Sequence, residues 1–156
     1  MTDEMIAALA KKGGVVQINF GCEFLSQKSA DASERANLTG RFREMQEKYK
    51  DDPPKLQAAM QAFAKEMRSL IPQASTDDVV AHIDHVVKLG GMGAVGIGSD
   101  YDGVGCVPAG LDDVSKFPNL TRALLEHGYS AEEIRKIYGG NTLRLMRSVE
   151  QAAHNF

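Results

Sequence analysis

Only two stretches of this 156-residue chain read as buried β-strands: VVQINF at residues 15–20 and AVGIGSD at residues 94–100. Each is short and apolar and follows a glycine pair, Gly13-Gly14 or Gly90-Gly91. Two strands separated by a helical crossover are most simply parallel neighbours with a right-handed connection. Parallel strands apolar on both faces need helices on one side and a filled barrel or second layer on the other. Two strands cannot supply that, and a complete eight-fold βα barrel takes about 250 residues. The expected fold class is therefore α/β: part of a (β/α)8 TIM-like barrel, about two parallel strands plus helices, with an inserted helical hairpin.

The hairpin is expected within residues 28–73. Leu38, Phe42, Met45 and Tyr49 make one apolar stripe, and Leu56, Met60, Phe63, Met67 and Leu70 make another. Between them Asp51-Asp52-Pro53-Pro54 forces a break, because proline restricts its predecessor and cannot donate a hydrogen bond. The stripes are read as core packing rather than as a cofactor box. Before the first strand, Thr2 is expected to cap a helix carrying Met5, Ile6, Leu9 and Ala10 on its apolar side. A helix starting at Thr76 presents Val79, Val80, Ile83, Val86 and Val87. Three short helices close the chain, over about residues 118–127, after the capping box Ser130-x-x-Glu133, and over 141–153 with Leu143, Leu145, Met146 and Val149 inward.

Composition excludes several classes. A net charge of −3 lacks the basic footprint of a nucleic-acid binder. No apolar run approaches the ~18 residues of a membrane span, and the start MTDEMIAALAKKGG lacks the layout of a secretory signal. Two cysteines, Cys22 and Cys106, are too few for a disulfide scaffold or a Cys-based zinc ribbon. Both follow predicted strands and could meet, but unpaired thiols are the expectation.

Three motif-like stretches depart from the patterns they approach. Gly91-Met92-Gly93-Ala94-Val95-Gly96 matches G-x-G-x-x-G, but it enters a strand instead of opening a helix, the reverse of a dinucleotide site. Asp100-Tyr101-Asp102-Gly103 has its glycine fourth and Leu111 twelfth, against the calcium-loop pattern of an EF-hand. His82 and His85 stand three apart, not the four of a metalloprotease helix, and are read as helix-surface or interhelical residues.

Asp100 is the strongest candidate for chemistry. It ends a buried strand, where βα barrels place their active sites. A partly desolvated carboxylate there can accept a proton from water or hold a substrate ammonium. Asp102 is the expected turn former and a weaker pocket residue. Asn19, at the corresponding end of the first strand, is a weaker substrate-binding candidate, with a hydrogen bond inside its loop as the plainer role.

Residues 82–150, from HIDHVVKLGGMGAVGIGSDYDGVGC to the closing GGNTLRLMRSVE, resemble the C-terminal portion of the membrane dipeptidase (renal dipeptidase) family of zinc peptidases. The H-[IL]-D-H helix, G-[SG]-D-[FY]-D-G strand end, D-V-S-K-[FY]-P loop and G-x-N-x-L-R helix follow family order, and GGVVQINF fits the preceding strand. The helical hairpin resembles an insertion of bacterial members. The resemblance implies a βα barrel holding two zinc ions bridged by a carboxylate, which hydrolyses dipeptides and tolerates a D-residue at the C-terminal position. It assigns the position of Asp100 to the substrate's amino end and to proton transfer.

The family's metal ligands (His-x-Asp, a bridging Glu and two later His) and an Arg for the substrate carboxylate all precede the matched region. None of His82, His85, His127 and His154 falls on a ligand position, so no metal ligand is expected in this chain. It is read as one partial barrel domain over 1–156, with the last βα unit and closing helices in 77–156. The expected function is that of a C-terminal fragment of a zinc-dependent dipeptidase, inactive alone. Its partners are a dipeptide substrate and the missing N-terminal part of the barrel, with no nucleic acid and no membrane segment. A homodimer is compatible, as is a bacterial cytoplasm or periplasm, and the lipid anchor of mammalian members is not expected. Two alternatives are a non-catalytic helical interaction module and a fragment of another metal-dependent amidohydrolase.

Overall fold

A computed structural model describes residues 1–153 of the chain; His154 lies outside the described residues. Two parallel strands, β1 (Val16–Asn19) and β2 (Val95–Ser99), form the sheet. Helix α1 (Asp3–Lys11) precedes β1, and Thr2 caps it by accepting from the Met5 N–H. The crossover from β1 to β2 runs through α2 (Cys22–Leu25), α3 (Gln27–Arg35), α4 (Leu38–Lys48), α5 (Pro53–Leu70) and α6 (Thr76–Gly90). After β2 come α7 (Phe117–Glu126), α8 (Ala131–Arg135), a π turn (Lys136–Gly140) and α9 (Asn141–Ala153). The result is α/β, two parallel strands joined by a helical crossover and followed by helices, as the strand pattern implies.

The termini of the helices follow local chemistry. Ser75 and Asp78 form a reciprocal capping box at α6, and Ser130 and Glu133 form one at α8. At α5, Pro53 and Pro54 occupy the first two helical positions, where no N–H is needed, and Asp52 caps them by accepting from the Lys55 N–H. Contacts between Phe42 and Phe63 (6.0 Å) and between Arg41 and Glu66 (2.7 Å) set α4 and α5 antiparallel.

One face of the sheet is covered. Ile18 and Val95, with Val16 and Ile97 beside them, pack into a core that includes Val79, Val80, Ile83 and Val86 of α6 and Leu120 and Leu124 of α7. The other face carries Gln17, Gly96 and Gly98, and both Gln17 and Gly98 are exposed. Expected to be apolar on both sides, the strands are apolar on one only.

The end of the sheet where the strands begin is gripped by the C-terminal helices. Asn141 is buried and donates from Nδ2 to the carbonyls of Met92 (2.7 Å) and Val95 (2.8 Å). Arg144 donates to the carbonyls of Gly13 and Gly93, each at 3.1 Å, bridging the loops that precede both strands.

Four expectations need correction. The stripe of α9 is not inward: Leu143, Met146 and Val149 are 51%, 54% and 60% exposed, because only the first turn of α9 sits on the sheet. Met5 of α1 is exposed as well, Ile6 alone being buried where α1 packs on α6. The stripe of α5 supplies no fully buried residue; Phe63 and Met67 are half-buried and Met60 and Leu70 exposed, so it is not core in the ordinary sense. Finally, Cys22 and Cys106 are not free thiols but a disulfide across 84 residues, their Cα atoms 5.5 Å apart. The adjoining backbone matches, since the Cys22 N–H donates to the Cys106 carbonyl at 3.1 Å.

In the chain-entropy view a cross-link closing a loop this long stabilises by about 4–5 kcal/mol. The double variant Cys22→Ser/Cys106→Ser is expected to lose stability of that order in denaturant melts, and the parent chain to show no thiol under denaturing conditions without reductant.

Candidate functional site

Because β1 and β2 are parallel, their C-terminal ends emerge on one side. The strands do not stay in step there: Ile18 pairs with Ile97, but Asn19 pairs with Ser99, leaving Gly98 as an extra residue. Such a bulge re-aims the side chains that follow it. Immediately beyond, Ser99 (φ +42°) and Asp100 (φ +69°) adopt left-handed backbone conformations. Two consecutive non-glycine residues of that kind cost of order 1–3 kcal/mol each and persist only where their surroundings impose them. Here the surroundings are a hydrogen bond from the Phe20 N–H to the Ser99 carbonyl (2.9 Å) and the turn closed by the Gly103 N–H on the Asp100 carbonyl (3.1 Å).

Asn19 and Asp100 are brought together. Asn19 Nδ2 donates to Asp100 Oδ2 at 2.7 Å, while Asn19 Oδ1 accepts from the Gly21 N–H at 2.6 Å. The amide is thus fixed at both ends and presents its donor to the carboxylate. Asp100 Oδ1 lies so close to Gly103 that a Cβ there would collide with it. One carboxylate is therefore held by a neighbouring strand and by its own turn. It has about four lone-pair sites, of which Asn19 takes one. Asp100 is exposed, not partly desolvated as its strand-end position suggested, because the described residues leave its outer side open. Asp102 stands in the turn and is exposed as well.

Asp100 lines a cleft of about 590 Å³ that also includes Asp102 and the Cys22–Cys106 disulfide. Its opposite wall comes from α2, α4 and α5, with Phe24, Phe42, Met60, Phe63 and Met67. A second cleft of about 570 Å³ lies behind the segment Val104–Cys106, which lines both; it holds Arg68, Asp112 and Asp113 but not Asp100. Tyr101 anchors the segment. Its ring meets Phe20 edge-on at 5.7 Å, and its hydroxyl donates to the Asp113 carbonyl at 3.2 Å. Burial raises the Tyr101 phenol above its ordinary pKa, helped by the charges of Asp113 and Asp112.

The described residues do not fit the two zinc ions of the resembled family. They assemble no group of three or more His, Cys, Asp or Glu side chains that could hold a metal. Both cysteines are spent in the disulfide. The histidines serve the helical side: His82 Nε2 meets the Leu25 carbonyl at 3.1 Å, His85 Nε2 meets Asp3 at 2.9 Å, and His127 faces Asp84 at 3.7 Å. No helix among the described residues is long and apolar enough to cross a membrane.

A family model described as membrane dipeptidase (peptidase family M19) matches residues 1–156. Among solved structures, the chain is similar to the probable dipeptidase PvdM from Pseudomonas aeruginosa, with TM-score 0.65 and 26% identity over 92% of this chain and 39% of that one. It is similar to the dipeptidase AC, a metallo peptidase of family M19, with TM-score 0.59 and 25% identity over 90% of this chain and 30% of that one. A metallo peptidase from Rhodobacter sphaeroides, liganded with a phosphinate mimic of the dipeptide L-Ala-D-Ala, aligns with TM-score 0.63 over 94% of this chain and 30% of that one. At 24% identity that last likeness shows the fold alone. The chain spans 30–39% of the length of these solved chains.

Two outcomes test the geometry. Gly103→Ala is expected to push the Asp100 carboxylate off Asn19 and shift the Asn19 side-chain amide resonances; Gly93→Ala, with nothing within 4 Å of its new Cβ, leaves them in place. The raised Tyr101 phenol favours the folded state while it is protonated. That contribution is complete below the unfolded tyrosine pKa of about 10 and is lost as pH rises beyond it. Tyr101→Phe should flatten this alkaline loss in pH-dependent melts.

Proposed function

The chain belongs to the membrane dipeptidase family, peptidase family M19, and from that premise we propose that it contributes Asp100 and one wall of the substrate pocket to a metallodipeptidase. The observation that carries the reading is the Asn19–Asp100 hydrogen bond, which holds a carboxylate at the exit of β2 on the lip of a cleft. The dipeptidase reaction needs a group that recognises a free amino end and moves a proton between attacking water and leaving amine. A carboxylate with three lone-pair sites left over serves both. Asn19 is a positioning residue in this scheme: it donates to Asp100 and has its own oxygen occupied by Gly21, so it is not free to orient otherwise. Asp102 offers a second negative charge on the same lip.

The metal chemistry of the family, polarisation of the scissile carbonyl and activation of water, rests on ligands that these residues do not provide. Activity therefore belongs to this segment combined with a metal-binding portion of an M19 barrel. In that combination, Asp100→Asn is expected to lower kcat by about 10²–10⁴-fold with bound zinc unchanged by elemental analysis. Full turnover in the variant overturns the role given to Asp100. A failure of any M19 metal-binding portion to restore dipeptide hydrolysis favours instead a helical interaction module, the reading to which the uncovered α9 stripe lends itself.

A further inference from the structure

The cleft beside Asp100 is chemically two-sided. Every charged side chain that lines it is acidic, namely Glu23, Asp100 and Asp102. Across from Asp100 and Asp102 the wall is built from Phe24, Phe42, Met60, Phe63 and Met67, with Glu23 beside Phe24 on α2. Phe24 is 62% exposed and Met60 41% exposed, large apolar side chains that the fold itself does not bury. With half-buried Phe42, Phe63 and Met67 beside them, they give the cleft an apolar lining rimmed by acids, the make-up of a ligand groove. The wall is also attached to the acidic lip. A Cβ on Gly105 would stand 2.8 Å from Met67 Cε, so the tip of the Met67 side chain of α5 rests against the loop that carries Asp100. Gly21 makes a similar allowance between Phe24, 2.8 Å from its virtual Cβ, and the Asn19 amide oxygen at 3.1 Å. The apolar wall and the hydrogen-bonded pair of Asn19 and Asp100 are thus parts of one cavity.

We infer that this cleft selects a residue with a free α-ammonium group and a large apolar side chain, so that the substrates of the site are dipeptides whose N-terminal residue is of the leucine, methionine or phenylalanine kind. The inference rests on the reading of Asp100 as the group that meets the amino end. The ammonium is drawn to the acidic lip, where no cation competes among the lining residues. The side chain enters between α2 and the α4–α5 hairpin. The flexible thioethers of Met60 and Met67 adapt to its shape. The substrate carboxylate finds no basic partner in this cleft and must be recognised elsewhere.

The test uses the oxidised full chain, labelled on its methionine methyls and backbone amides, and titrates it by NMR with L-leucinamide, glycinamide and N-acetyl-L-leucinamide. These amides carry no carboxylate, so they probe only what this cleft offers. Leucinamide is expected to shift the Met60 and Met67 methyls and the Gly103 amide and to bind at least about tenfold tighter than glycinamide, a modest return for a side chain of four carbons. Acetylation of the amine should abolish most of the binding. Met60→Gln, at a site exposed enough to spare the fold, should narrow the leucine advantage and leave glycinamide unchanged. Equal affinities for leucinamide and glycinamide, with shifts at Gly103 and none at the methyls, would overturn the apolar selection while sparing the role of Asp100. Undiminished binding of the acetylated amide with Gly103 silent would overturn the role of Asp100 itself, and the inference with it. Absence of any response to leucinamide also overturns the inference.

Discussion

The register in which β1 meets β2 is the constraint on which the candidate site depends. A parallel pair puts both C-terminal ends on the same side, and the single extra residue at Gly98 carries Asp100 into reach of Asn19. Without the bulge the side chain after Ser99 would leave the sheet with the other parity, since alternation in a strand moves each side chain to the opposite face. The left-handed conformations of Ser99 and Asp100 are the local consequence. Aspartate tolerates that region better than most residues, whereas serine has less to gain from it. The strain is offset by the Phe20–Ser99 bond, the Asp100–Gly103 turn and the Asn19 clamp.

The rest of the chain serves to keep the two strands in that relation. At their starting end, buried Asn141 donates to two carbonyls and Arg144 ties the loops ahead of both strands. Leaving the buried Val95 carbonyl unpaired would cost about 1–3 kcal/mol. At the finishing end the fastening is covalent, from the first residue of α2 to the loop after β2. The helices between fill the covered face with aliphatic side chains. The opposite face, with Gln17, Gly96 and Gly98, is left to glycine and a polar residue, which is unlike the filled inner layer of a self-sufficient sheet. That face and the free edges of both strands suit a segment that forms part of a larger barrel, in line with the 30–39% of the related chains that it spans.

Much of this was legible in the residues. The two strands, the α6 face and the Ser130–Glu133 box are consequences of local pattern, and they sit where the pattern put them. The proline pair likewise starts α5 as its missing N–H groups require. Helices α2 and α3 were not legible. Four residues are too few to show a period, and QKSADASER has no apolar stripe, being fixed to the molecule through buried Ser29 and its hydrogen bond to the Pro72 carbonyl. The disulfide was undecided because sequence places two cysteines after two strands without saying how close those ends lie. Asn19 could be suspected only as a strand-end polar residue; its partner depends on a bulge that no pattern of hydrophobicity announces.

The stripes of α5 and α9 mark the deeper limit. Periodicity reveals which side of a helix is apolar, but burial depends on what else is available to lie against it. For α9 the described residues provide nothing beyond the first turn, and the stripe faces outward. For α5 the outcome is intermediate: α4 covers part of the stripe through Phe42 and Phe63, and Met67 reaches the Asp100 loop, while Met60 remains half open to the cleft. A side chain left half-wet on purpose and one merely awaiting a neighbour look alike in sequence. They differ in what stands opposite. Across from α9 the described chain offers nothing, whereas across from α5 stand a clamped carboxylate and a second acid, so that only the α5 stripe shares a cavity with chemistry that could use it.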